Sequence, residues 1–187
     1  MDSEAFFYNG INVHLDIIEL LTKMGQGAQS LCVSIDINHS IELFDVIMQG
    51  FLFSTAAADG RLIKEEYDFI RTVCTWADCV TEYNKKVVDS PMISWSQLLI
   101  MDSKTLKQFV SDLHDLVVMP ALHTFVRYYP SLSLIYPGTD FGKLLCDHMQ
   151  KLMTLLGRID GDITSEEMFE DFQSLETFKR EWKYVCK

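Results

Sequence analysis

The chain has 187 residues, enough for one domain with a self-sufficient core, and its 48% hydrophobic content with 12 Phe, 7 Tyr and 3 Trp excludes a disordered polymer. A formal net charge of -11 disfavours a surface built to neutralise the phosphates of nucleic acid or anionic lipid, and points to cations or basic protein partners. Acidity that serves only solubility is the plain alternative.

The acidic start, Met1-Asp2-Ser3-Glu4, is unlike the basic start of a secretory signal. The longest uncharged apolar stretch, Val46 to Ala58, is shorter than the roughly 20 residues a membrane span needs. Five cysteines (Cys32, Cys74, Cys79, Cys146 and Cys186) include no CxxC pair, so reduced, mostly buried thiols in the cytoplasm are expected rather than disulfides or a zinc knuckle.

The first helix carries Val13, Leu15, Ile17, Ile18, Leu20 and Leu21 and is expected to end at Gly25-Gln26-Gly27. A short β-branched stretch follows near Val33–Ile37. From about Ser40 to Ala58, Leu43, Phe44, Ile47, Met48, Phe51 and Leu52 recur at helical spacing until Asp59-Gly60 stops them. One helix from about Lys64 to Tyr83 should bury Tyr67, Ile70, Val73, Cys74 and Ala77.

Ser94 with Gln97 reads as a capping box for a short helix. A longer one starts near Asp102 or Ser103 and meets Pro120 in mid-pattern, which should kink or end it. Residues 131–139 form a surface loop, Asp140 opens a helix reaching Leu156, and the last helix runs from about Ser165 to Tyr184. The chain therefore reads as an all-α, single-domain helical bundle with a duplicated helix-turn-helix, residues 1–39 forming a helical extension to a domain over 40–187.

The duplication rests on Asp59-Gly60-Arg61-Leu62-Ile63-Lys64-Glu65-Glu66 and Asp160-Gly161-Asp162-Ile163-Thr164-Ser165-Glu166-Glu167, which share the pattern D-G-x-[LI]-x-x-E-E. Glycine supplies the left-handed conformation that ends a helix, and the paired glutamates fall in the first turn of the next, where the dipole favours anions. Thr164 and Glu167 make a second capping box. Asp59 and Asp160 face the wrong end of the preceding dipole, so they must reach forward, either as caps or to share a cation with the glutamates. Gathered carboxylates suit Ca2+ or Mg2+, although the pattern is not an EF-hand.

Ala56-Ala57-Ala58-Asp59-Gly60-Arg61-Leu62 with Glu65 and Glu66, and Ile159-Asp160-Gly161-Asp162-Ile163 with Glu166 and Glu167, resemble the tellurite-resistance TerB-like domains. That resemblance implies an all-helical, divalent-cation-associated module of bacterial stress and tellurite response. It implies action by binding partners rather than catalysis, with Asp59, Glu65, Glu66, Asp160, Glu166 and Glu167 as candidate metal residues.

The catalytic alternative is a helical, HD-type metal-dependent hydrolase centred on His114 and Asp115, with His39, His123 and Asp140 as further candidates. No phosphate loop, dinucleotide turn, nucleophile elbow or HExxH motif is present. His14 and His148 are expected to be partly exposed helix residues, and Trp95, Trp182, Tyr128 and Tyr129 lack the basic company that nucleic-acid stacking needs. Met24, Met48, Met119, Met149 and Met153 read as core filler.

Overall fold

The computed structural model describes residues 3–87, 90–129, 132–159, 161 and 163–185, and among these there are helices and no strand. In chain order they are α1 (Ser3–Ser30), α2 (Ile37–Ala56), α3 (Lys64–Val73), α4 (Cys79–Lys86), α5 (Trp95–Leu98) and α6 (Ser103–Leu113). A π-helical turn (His114–Val118) then leads into α7 (Met119–Arg127), a 3-10 turn (Leu132–Leu134), α8 (Phe141–Leu156) and α9 (Ser165–Val185). The all-α reading holds. No helix among the described residues is long and apolar enough to cross a membrane.

A helical stretch that is apolar on every side must be buried on every side, and from Phe44 onward α2 comes nearest to that. Phe44, Ile47, Met48, Phe51, Leu52 and Phe53 are all fully buried, and α1, α7, α8 and α9 pack around them. Burying one such side chain contributes about 1.5–3 kcal/mol, so α2 anchors the bundle. An aromatic cluster of Phe44, Phe125, Phe178 and Trp182 ties it to α7 and α9, the last two rings stacked at 5.9 Å. Asp36 caps α2, accepting from the backbone N–H groups of Asn38 and His39.

The first helix does not stop at Gly25-Gln26-Gly27; it runs on to Ser30. The glycines serve close approach instead, because a Cβ at Gly25 would lie 2.6 Å from Ile37 and one at Gly27 the same distance from Tyr136. Ile17, Leu21, Met24 and Ala28 of α1 join the common core, and α1 packs along α8.

The single helix expected from Lys64 to Tyr83 is two helices, parted by Cys74–Asp78. Asp78 caps the second by accepting from Val80 and Thr81. Pro120 does not end the helical run, although the α-helix is interrupted just before it. It follows the π turn, in which the Met119 N–H reaches back to the His114 carbonyl, and sits in the first turn of α7, where a missing N–H costs least.

Candidate functional site: the two acidic turns and a buried polar cluster

The local chemistry of both acidic turns follows from their residues. Gly60 and Gly161 have φ of +92° and +123°, the left-handed region that glycine enters freely. Glu66 accepts from the Ile63 N–H at 3.0 Å, and Glu167 accepts from the Thr164 N–H at 2.6 Å. Thr164 Oγ1 accepts the Glu167 N–H in return, completing that box. Both glutamates are 4% exposed.

Asp59 does reach forward. One of its oxygens accepts the Arg61 N–H at 3.0 Å and the other accepts Arg61 Nε at 2.8 Å. Glu65 and Glu166 remain exposed; Asp160 lies outside the described residues. The Glu166 carboxyl is held below the usual range by hydrogen bonding, from its own N–H and from Ser165, with a further contribution from Lys107.

The bundle brings the two turns to one end. Lys107 on α6 stands beside Gly60 and also acts on Glu166, and it lines a cleft of about 410 Å³ with Ala57, Ala58 and Glu170. Thr55, just ahead of the first turn, donates to Asp171 Oδ1 at 2.6 Å, just past the second. Burial pushes the Asp171 carboxyl up to about 6, against the lowering effect of Thr55, with Glu167 and Glu170 adding to the rise.

From this end α9 leads out with Met168, Phe169 and Phe172 on its open face, 56%, 59% and 59% exposed. Glu166 and Glu176 are exposed on the same helix and Glu170 is half-buried, whereas Glu167 and Asp171 turn inward; no Lys or Arg appears on α9 before Lys179.

The residues of the hydrolase alternative are dispersed. His114 lines the Lys107 cleft and pairs with its neighbour Asp115, while Asp140 lines cavities at the start of α8 with Trp182 and Lys183. His39 pairs with Glu42 and His123 with Glu181.

A second polar centre lies in the core. His14, expected to be partly exposed, is 4% exposed, and its Nε2 stands 2.5 Å from Asp45 Oδ1. The other Asp45 oxygen accepts the Trp76 N–H at 2.8 Å. One turn along α2, Gln49 donates to the carbonyls of Cys74 and Ala77 and accepts the Cys79 N–H. Asp45 and Gln49 thereby hold the whole segment between α3 and α4, satisfying backbone groups that burial would otherwise leave unpaired.

Cys74 closes the group: among the described residues, His14, Asp45 and Cys74 each present a ligand atom within 4.8 Å of the other two. Burial, then the charges of Asp45 and Cys79, hold the Cys74 thiol well above its ordinary range. The polar i, i+4 pair within the apolar stretch from Leu43 to Phe53 was the available sequence signal.

Compared with known proteins, the chain matches no family model, no curated protein and no solved structure.

Proposed function

We propose that the chain is a non-catalytic, TerB-like, cytoplasmic binding module, and that its ligand is a basic amphipathic helix of a partner protein. The observation that carries this reading is the open face of α9, where Met168, Phe169 and Phe172 stand exposed within one turn, on a helix whose outward charges before Lys179, Glu166, Glu170 and Glu176, are all acidic. Large apolar side chains left in water at three neighbouring positions mark a surface made to be covered. Acidic neighbours select a covering helix whose flanks carry Lys or Arg, and a net charge of -11 opposes covering by a second copy of this chain.

Between the two ligands that acidic turns suit, a cation or a basic partner, the hydrogen bonding favours the partner. Asp59, Glu66 and Glu167 already accept from Arg61, Ile63 and Thr164, whereas Glu65 and Glu166 face solvent. The resemblance of the turns to TerB-like domains, which act through partners, supports the same class of function.

The test uses a fluorescent amphipathic peptide of Leu and Lys, with a Leu and Glu peptide of the same pattern as control. The basic peptide should bind, weaken steeply with added salt, and lose about tenfold or more in affinity to Phe169→Ser, Phe172→Ser. Both positions are exposed, so the variant should keep its fold. Equal binding of both peptides, or binding indifferent to the double substitution, would refute the reading.

A further inference from the structure

The buried cluster supports an inference separate from the α9 surface. Three donors of different chemistry, an imidazole nitrogen from α1, a carboxylate from α2 and a sulfur from the residue just after α3, meet in the core at His14, Asp45 and Cys74. None is more than 4% exposed. We propose that these three residues bind a divalent transition-metal ion of the zinc class.

The spacing fits. Around a tetrahedral ion with bonds of about 2.0–2.3 Å, neighbouring ligand atoms stand roughly 3.3–3.8 Å apart. Here one edge of the triangle, His14 Nε2 to Asp45 Oδ1, is 2.5 Å, and no edge exceeds 4.8 Å. Entry of an ion therefore requires the His14 to Asp45 hydrogen bond to open by about 1 Å, within the reach of side-chain rotation.

Chemistry selects the ion. Calcium and magnesium take oxygen ligands, whereas a mixed nitrogen, sulfur and oxygen set suits a borderline ion such as zinc. Sulfur and carboxylate held together in the core oppose each other's charge, and a cation between them turns that repulsion into attraction. Two of the three ligands are also oriented by outer partners, as metal ligands are. Trp76 N–H fixes the far oxygen of Asp45, and Gln49 fixes the Cys74 carbonyl. Bound there, the ion would fasten α1 and the segment after α3 to the central helix.

The probe is cobalt(II) added to the full chain after chelator treatment under reducing conditions. One equivalent should bind with a sulfur-to-cobalt charge-transfer band, zinc should displace it, and zinc should raise the melting temperature by mass action. Replacing the other four thiols, by Cys32→Ser, Cys79→Ala, Cys146→Ala and Cys186→Ser, singly and together, should leave the band in place. Asp45→Asn should weaken binding at least tenfold. Absence of the band from the wild-type chain, or its loss with Cys32, Cys79, Cys146 or Cys186 in a variant with native circular dichroism, would overturn the proposal. If Asp45→Asn does not fold, the thiol replacements alone decide it.

Discussion

Glu66 and Glu167, the closing residues of two turns far apart in the chain, make the same bond: each carboxylate accepts the backbone N–H three residues before it. Each also sits at the buried edge of its helix. Removing such a cap leaves an amide unpaired, so Glu66→Ala and Glu167→Ala should each lower stability by about 1–2 kcal/mol, read as a shift in urea midpoint. Glutamine keeps the acceptor, and Glu66→Gln and Glu167→Gln should recover most of that loss.

The two glycines of the turns should respond unequally. At Gly60 the conformation and the space both forbid a side chain, because a Cβ would lie 2.1 Å from Ser103 Oγ. At Gly161 the conformation is again left-handed, but nothing lies within 4 Å. Gly161→Ala should cost about 1–2 kcal/mol for backbone strain alone, and Gly60→Ala distinctly more. Equal losses in paired denaturation curves would show that Ser103 yields freely.

Asp171 gives the acidic end a pH dependence with a definite sign. Its carboxyl titrates near 6 in the folded chain, above its ordinary 3.8, so the folded state holds the proton more tightly. Stability from this group is complete below about pH 4 and is lost as pH rises toward 6. Asp171→Asn removes the charge and retains an acceptor for Thr55. It should match the wild type near pH 4 and exceed it by about 1–2 kcal/mol at pH 7, allowing for partial exposure. A constant difference across that range would mean Asp171 does not titrate there.

Calcium and magnesium separate the remaining uses of the first turn. With Asp59 engaged by Arg61, a few millimolar of either ion should leave the melting temperature unmoved, and Asp59→Asn should cost well under about 1 kcal/mol. A rise in the wild type that disappears in Asp59→Asn would instead identify the turn as a cation site.

Where structure follows from neighbours in the chain, the residues declare it. Ser94 with Gln97, Asp102, Asp140 and Thr164 with Glu167 all cap helices where their spacing predicts, because each bond spans two or three residues. Where it depends on distant partners, the local pattern misleads. Gly25 and Gly27 look like a terminator, yet Ile37 and Tyr136 explain them. The break at Cys74–Asp78 is stabilised by Gln49, and His14 is buried by a partner 31 positions away. The candidate partner surface on α9 was hidden for a related reason: Met168, Phe169 and Phe172 resemble core residues until packing shows which face is left uncovered.

The π turn at His114–Val118 carries a consequence for how this chain tolerates insertion and deletion. One extra residue per turn advances everything after it by about 100° relative to a continuous α-helix. That offset aims Leu122 and Phe125 at the central helix, while Leu116 and Val117 face a groove of about 490 Å³ beside Trp76. Val118 fits against Gly50, where a Cβ would come within 2.2 Å. Deleting a single residue from the turn would restore an ordinary helix and swing the apolar stripe of α7 out of phase with its pocket, so the length of this segment is as tightly constrained as its composition.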